Sequence, residues 1–401
     1  MTGGPLAGIR VLDLSRVLAG PYCTMVLADL GADVVKIERP GAGDDLRAWG
    51  PPYGPGGDST YFQTVNRNKT GMAVDLKSPS GLELVRELAR TSDVVVENFR
   101  VGMAEELGLG YEDLSAANPG LVYCSVSGFG RTGPLAQQPG YDVLMQAMGG
   151  LMSVTGERDG APMRSGVAIV DICTGLYAAV GIVAALNGRT TTGRGQRVDL
   201  SLLESVLAIQ PNLTAGYLIA GMVPQRLGNA HPNVTPYGVF PTSDGHIVLA
   251  VGNDGQWARL VRALDVTADA EGLDTSAVRM SRRDEVDKLV ASWTSRSSTA
   301  RLSALLAEHD IPQGPVMSVP EALEHPQVQA LGTVATHPLG ADASGRLVRS
   351  PIRLSDERTD TLAPPSLRRP TAERLRQLGL PGELIARLAE SGGLEESPDH
   401  S

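Results

Sequence analysis

Aromatic side chains make up only 4% of the 401 residues, too few for a surface that binds nucleic acid by stacking its bases. Positive charge is also short: 35 Lys and Arg stand against 45 Asp and Glu, a formal net charge of −10, which argues against a polyanion as the main partner. A small phosphate-bearing ligand held by a local basic cluster is compatible with that balance. Cysteine occurs three times, as Cys23, Cys124 and Cys173, an odd, widely spaced set without a metal-ligand pattern. The reading is a reducing compartment and no metal. The opening Met-Thr-Gly-Gly-Pro-Leu-Ala-Gly has neither a charged leader nor an apolar signal core, and no apolar run is taken to reach the ~18 residues that span a bilayer. A cytoplasmic protein with no membrane partner is expected.

What is present is a globular composition, with 42% hydrophobic and 20% charged residues, and a length that suits about two domains with room for a third. Gly 47 and Pro 27 supply many tight turns and close backbone approaches. No internal repeat or low-complexity tract stands out.

The first part of the chain alternates strand and helix. Ile9–Leu14 reads as a buried strand, Pro21–Leu30 as a helix stopped by Gly31, and Asp33–Glu38 as the next strand. The loop between the first strand and helix, Ser15-Arg16-Val17-Leu18-Ala19-Gly20, has no Gly-x-Gly-x-x-Gly, so a nicotinamide enzyme is weakly supported. Gly41–Asp58 is a Gly/Pro-rich loop. Beyond Asn66-Arg67-Asn68-Lys69 come a strand at Met72–Leu76, a helix from Pro79 to about Arg90 and a strand at Asp93–Glu97. Arg39 and Asn98-Phe99-Arg100 follow strand ends, the edge where open α/β sheets bind ligands. Leu121–Val126 is a further strand, running into a glycine-bearing loop with Gly128 and Gly130, before a short helix at Tyr141–Gly149.

The stretch from Arg164 to Arg189 organises the rest. A strand-like Val167–Val170 ends at Asp171, where a small-residue helix begins, so that the free N–H groups and dipole of a helix end favour the carboxylate. One reading of Asp171 is an N-cap. The other is a nucleophile, held ionised by the helix end and shielded from water by Val, Ile and Ala.

Gly195–Leu200 then reads as a strand and Leu202–Ile219 as one apolar helix. Gly221–Pro236 lacks periodicity and reads as a linker, with His231 a structural loop residue. A smaller unit follows: a hairpin of Gly238–Thr242 and His246–Val251 around Asp244-Gly245, the loop Gly252-Asn253-Asp254-Gly255-Gln256, and helices near Gln256–Leu264, Arg282–Thr294, Thr299–Glu308 and Val319–Leu331. Strands at Thr333–Pro338 and Leu347–Leu354 are expected to return to the first sheet. Helices near Thr371–Leu378 and Pro381–Glu390 precede a frayed Ser391–Ser401. The domain expectation is 1–220 as the first part of a large domain, 221–236 as linker, 237–332 as a small domain, and 333–401 returning to the large one.

Taken in order, the stretches Gly8–Asp13 through Ala19-Gly20-Pro21, Leu30–Glu38, Asn66–Lys69, Glu97–Arg100, Ser127–Gly130, Gly140-Tyr141-Asp142 and Arg164–Asp171 resemble the class III CoA-transferases. The resemblance implies an α/β fold with a Rossmann-like large domain plus a smaller α+β domain, and two chains threaded as interlocked rings in a homodimer. It implies coenzyme A as cosubstrate, Asp171 as nucleophile, and transfer of CoA from an acyl-CoA thioester to a free carboxylic acid through an aspartyl mixed anhydride and aspartyl-CoA. Candidate CoA contacts are Val17, Ala19, Arg39, Lys69, Asn98, Phe99 and Arg100. Candidates for the substrate or oxyanion loops are Gly128, Gly130, Tyr141, Gly252, Gly255 and Gln256. Two departures bear on substrate and reaction. Formyl-CoA transferase has glutamine at the place of Leu18 and a longer glycine run at Gly252–Gln256. The related 2-methylacyl-CoA racemases, the alternative reading, have histidine at the place of Tyr141, and a phenol of pKa ~10 replaces imidazole poorly as an acid/base.

Overall fold

Short runs, Val-rich at Val34-Val35 and Val94–Val96, form six parallel strands in the computed structural model, which describes residues 4–340, 343–355 and 362–395. They are β1 (Arg10–Asp13), β2 (Asp33–Glu38), β3 (Lys69–Ala73), β4 (Val94–Glu97), β5 (Val122–Ser127) and β6 (Arg197–Ser201). The sheet order is 3-2-1-4-5-6, all parallel, the doubly wound order in which the progression of strands reverses between β1 and β4.

The period of two sorts each strand's residues onto two cores. Val11, Val34, Val94, Val96, Val122 and Cys124 face one; Leu12, Val35, Val95 and Tyr123 face the other. The first core is covered by α1 (Ala19–Asp29), with α6 (Asp142–Met148), α8 (Ile169–Thr192) and α9 (Leu202–Ala208) beside it. Gly175 of α8 sits where an added Cβ would lie 2.7 Å from the Ala19 carbonyl oxygen, so only glycine lets α1 and α8 cross this closely. The second core is closed by α3 (Pro79–Arg90), whose Ser78 Oγ caps Gly81 N, and by α5 (Tyr111–Ala117). Short helices α2 (Thr60–Val65), α4 (Met103–Glu106) and α7 (Leu151–Val154) fill connections, and α10 (Pro211–Ala220) follows α9.

The chain divides into two compact units, residues 1–151, 165–215 and 331–401 in one, and 152–164 with 216–330 in the other. The second unit pairs β7 (Tyr237–Pro241) with β8 (His246–Ala250), and β8 with β9 (Gln313–Pro315), all antiparallel. Its core packs Trp257 of α11 (Asp254–Ala263) against Trp293 of α13 (Arg283–Thr294), ring centroids 6.0 Å apart. Around them lie α12 (Ser276–Ser281) and α14 (Thr299–Glu308), followed by α15 (Val319–Glu324) and α16 (Pro326–Ala330).

Several expectations are corrected. Residues Val167–Val170 form no strand: α8 already begins at Ile169, because an apolar run reads alike in strand and helix until a pairing partner decides. The Leu202–Ile219 helix is two, broken before Pro211, which has no N–H to continue it. The expected return of two strands to the first sheet fails. Instead β10 (Val334–Pro338) and β11 (Ser344–Val348) form a separate antiparallel pair, and it is α17 (Ala372–Gln377) and α18 (Gly382–Glu390) that return, burying Leu375, Leu378, Leu384 and Leu388 in the second core. Of the expected frayed end, Glu395 N donates to Pro370 O at 3.1 Å, and residues 396–401 lie outside the described residues. Among the described residues one helix, α8, is long and apolar enough to cross a membrane, contrary to the reading of apolar runs; here it packs one face into the first core.

Candidate active site

At the carboxyl edge of the sheet, the loops after β1 and β4 diverge, and a cleft of about 440 Å³ opens between them. The two loops are tied together: Asn98 Oδ1 accepts from Arg16 N at 2.8 Å, and its Nδ2 donates to Arg16 O at 2.8 Å. Asn98 thereby serves as a loop clamp as well as a cleft residue. Val17, Ala19, Phe99, Arg100, Gly128 and Tyr141 line the same cleft, and so does Asp171.

Val17 holds φ at +66°, a left-handed conformation that costs a β-branched residue roughly 1–2 kcal/mol. Its N–H donates to Asp44 Oδ1 at 3.1 Å. The other oxygen of Asp44 lies 3.0 Å from Lys36 Nζ, both side chains fully buried, and Lys36 donates to Ser15 O at 2.8 Å. The strained loop is thus held from both sides by buried charge.

Asp171 is the third residue of α8, whose N-cap, Ala168, has no capping side chain. The cap comes from another helix. Asp142 Oδ1 accepts from Val170 N at 2.8 Å and from Asp171 N at 3.3 Å. Its Oδ2 accepts from Gln146 Nε2 at 2.6 Å, and Gln146 Oε1 accepts from Ser165 N at 2.8 Å. Burial, and then the neighbouring Asp142 charge, push the Asp171 carboxyl up to about 7. Asp171 is thus not the N-cap, and the helix end alone does not keep its carboxyl in the ordinary carboxylate range, because burial and the Asp142 charge raise it. Burial, with Asp171 and Asp142, also pushes Tyr61 up to about 12.

The remaining candidates divide. Lys69 is corrected outright. It is 1% exposed, and its Nζ is spent on Asp13 Oδ2 at 3.1 Å, Pro21 O at 2.9 Å and Asn66 Oδ1 at 2.9 Å, leaving nothing for a CoA phosphate. Arg39 does not line the cleft; it pairs with Asp45 at its rim, and Asp45 lies 3.6 Å from Arg16. Arg100 does line it, reaching Gln137 Oε1 at 3.1 Å and Glu106 at 3.4 Å. Gly130 is set back, its N–H on Ser127 Oγ at 3.1 Å. Gly252, Gly255 and Gln256 belong to the second unit, where Gly252 N donates to Gln256 Oε1 at 2.7 Å. His231 is a loop residue, its ring 5.0 Å from that of Tyr237 and its Nδ1 accepting from Asn233 N. Sequence reasoning missed Arg16 and Gln137 as cleft residues. Arg16 carried a signal, since it follows β1; Gln137 sits in an irregular loop and carried none. Among the described residues no group of three or more His, Cys, Asp or Glu is placed to hold a metal ion.

The chain matches the model of CoA-transferase family III over residues 6–369. It is 47% identical over 335 residues to a succinate–glutarate CoA-transferase of Agrobacterium fabrum, covering 82% of this chain and 84% of that one. Against the human succinyl-CoA:glutarate CoA-transferase it is 40% identical over 404 residues, 99% of this chain and 91% of the relative. The crystal structure of a CAIB/BAIF family protein from Brucella suis superposes with a TM-score of 0.80 at 41% identity, covering 91% of this chain and 97% of that one. The chain belongs to CoA-transferase family III. It is an enzyme that transfers CoA between an acyl-CoA thioester and a carboxylic acid, and the racemase alternative is not favoured.

Proposed function

We propose that Asp171 is the covalent nucleophile of this CoA-transferase and that its substrates are succinyl-CoA and short dicarboxylic acids of the succinate and glutarate kind. The observation that carries the reading is a partly buried carboxylate, raised to about 7, facing a cleft at the carboxyl edge of a parallel sheet. The names of the relatives support the substrates.

Asp171 attacks the thioester carbonyl; a C–O bond forms, the C–S bond breaks, and CoA leaves as thiolate with the electron pair. The thiolate attacks the aspartyl carbonyl of the anhydride, releasing the donor acid as carboxylate and leaving aspartyl-CoA. The acceptor carboxylate attacks that thioester, and the returning thiolate takes the acceptor acyl group, restoring Asp171. Once Asp171 is ionised, no proton moves in any step. Water is the competitor throughout, so a closed pocket matters as much as the nucleophile.

CoA lies along the loops after β1 and β4, in contact with Val17, Ala19, Asn98, Phe99 and Arg100, with Arg39 at the rim. Backbone N–H groups of the Gly128 loop serve the oxyanion, with Tyr141 beside them. Arg100→Ala is expected to raise the acyl-CoA KM on the order of tenfold with kcat little changed, the pattern of a lost ground-state phosphate contact; steady-state kinetics check it, and an unchanged KM removes Arg100 from the site.

The assembly follows the same reading: a cytoplasmic homodimer of interlocked chains, each with a large domain, a linker at 221–236 and a small domain at 237–332 that carries Gly252, Gly255 and Gln256. What supports a second copy is an unpartnered apolar face on α8, where Leu176, Tyr177, Val180 and Val183 are 39–68% exposed. Dilution in the ultracentrifuge is expected to yield no folded monomer; a folded monomer at nanomolar concentration contradicts the interlocking.

The nucleophile is tested by incubating the enzyme with succinyl-CoA alone, quenching with hydroxylamine and mapping peptides by mass. A hydroxamate at Asp171 is expected. A label on any other carboxylate overturns the assignment.

A further inference from the structure

Asp142 is buried, at 8% exposure, and the mechanism above gives it no step. Its surroundings are specific. The helix that carries the nucleophile starts on Ala168, which cannot cap, and the two amides at its first turn find their acceptor in Asp142 Oδ1. A carboxylate from α6 therefore fixes the height and angle of α8 at the residue next to Asp171 and at Asp171 itself. The other oxygen is anchored by Gln146, fully buried, which in turn holds Ser165 N ahead of α8. The result is one oxygen spent on helix geometry and one on its own placement. No lysine, arginine or histidine is paired with either carboxylate among the described residues. The other titratable groups that face the pair are Tyr61 from α2 and Cys173 on α8, and burial holds both of these in their neutral forms.

We propose that Asp142 is the positioning residue of the transferase: it caps the nucleophile's helix and sets a second carboxylate beside Asp171, so that acylation, which makes Asp171 neutral, relieves the repulsion between them. The inference rests on Asp171 being the nucleophile. A cap alone would be served as well by asparagine, whose side chain has the same reach and keeps an accepting oxygen. The charge adds a differential effect: it disfavours the free ionised nucleophile and is indifferent to the neutral anhydride, so it favours the covalent step and raises the basicity of the attacking oxygen. Asp142 never touches the reacting carbon; it acts through the backbone of α8 and through space.

Two variants separate these parts. Asp142→Asn keeps an oxygen for the Val170 and Asp171 amides and removes the charge; Asp142→Ala removes both. The measurement is the rate of hydroxamate formation with succinyl-CoA alone, followed between pH 5 and pH 9. In wild type the rate is expected to rise with a midpoint near the Asp171 value of about 7. In Asp142→Asn the midpoint is expected at least about one pH unit lower, though not at an ordinary carboxylate value because burial persists, and the plateau rate to fall about tenfold. Asp142→Ala is expected to show the same displacement with a further loss of about tenfold from the slackened helix. A purely structural role would lower rates without moving the midpoint. The proposal is overturned if the Asp142→Asn midpoint stays within about 0.3 unit of wild type, whatever the rate. It is equally overturned if the plateau is unchanged. A label that falls on another carboxylate in wild type defeats the Asp171 reading first, which keeps the two failures apart.

Discussion

Asp171→Asn is expected to lower CoA transfer by about 10⁴-fold or more, while acyl-CoA binding stays within a few-fold of wild type and the hydroxamate disappears. The substitution is close to isosteric, and Asp171 N keeps its bond to Asp142 because that bond uses the backbone. What is lost is the attacking oxygen's charge. The same variant is expected to be more stable than wild type at pH 8. In the folded state the Asp171 carboxyl is raised to about 7 from an unfolded 3.8, so the neutral form is favoured by folding. That contribution is fully present below pH 3.8 and is lost as pH rises through about 7. Above it, the folded protein holds an ionised carboxylate in a poorly solvated place, at a cost of roughly 2–4 kcal/mol. Asparagine has no such ionisation. The unfolding midpoints of the two proteins should therefore coincide near pH 4 and separate by pH 8, with the variant higher. Thermal scans across that range check it; equal midpoints at pH 8 would mean that Asp171 is not held in a raised state.

Lys69→Met is expected to destabilise the fold by about 3–5 kcal/mol, through the charge it leaves behind. Asp13 and Lys69 are both wholly buried, at 3.1 Å. Burial alone would push Asp13 up, yet Lys69 and Lys36, with hydroxyls from Ser15 and Thr24, hold it well below the ordinary carboxylate range. Burial pushes Lys69 down to about 8, the Asp13 charge opposing it, so the pair is ionised at neutral pH. Removing the ammonium takes from the buried Asp13 carboxylate its direct ion-pair partner, leaving it only the Ser15 and Thr24 donors and the more distant Lys36, and takes a donor from Asn66 Oδ1. Adding Asp13→Leu to the single variant should recover part of the lost stability, because it removes the unpaired buried charge while taking from Ser15 and Thr24 their shared acceptor. If Lys69 met a CoA phosphate instead, the single variant would raise KM and leave the unfolding midpoint alone. Unfolding midpoints of the single and double variants, set beside their KM values, decide the matter.

That contrast shows what was legible in the sequence. Parallel strands were readable because runs such as Leu121–Val126 are apolar enough to be buried on both faces, and helix starts were readable where a cap and proline stand together, as at Ser78-Pro79. The edge that holds the cleft was readable from strand ends. The fate of each charged residue there was not: Lys69 and Arg100 look alike in sequence, and only the register of β3 turns one inward to Asp13 while the other stays in the cleft. Asp171 was conspicuous, but its cap was not, because Asp142 lies 29 residues earlier and non-local capping leaves no local pattern. The left-handed Val17 also had no signal, since the strain is imposed by Asp44 and Lys36 from other segments. Family resemblance, rather than periodicity, singled out Asp171 over its neighbours.

The helix α8 has 24 residues, about 36 Å at the helical rise per residue, and it carries two unlike duties on one rigid body. Its first turn presents Asp171, the proposed nucleophile, while Val180 and Val183, some three turns further on, stand on an exposed apolar face. A helix packed along its length transmits a tilt from one end to the other with little loss. A second copy seated on that face, as proposed, would therefore help to aim the carboxylate, and change in the association surface and change in reactivity would not be independent. With Asp171 as the nucleophile and a second copy on this face, a charged residue introduced at Val180 would be expected to alter reactivity, although it lies remote from every atom that changes bonds.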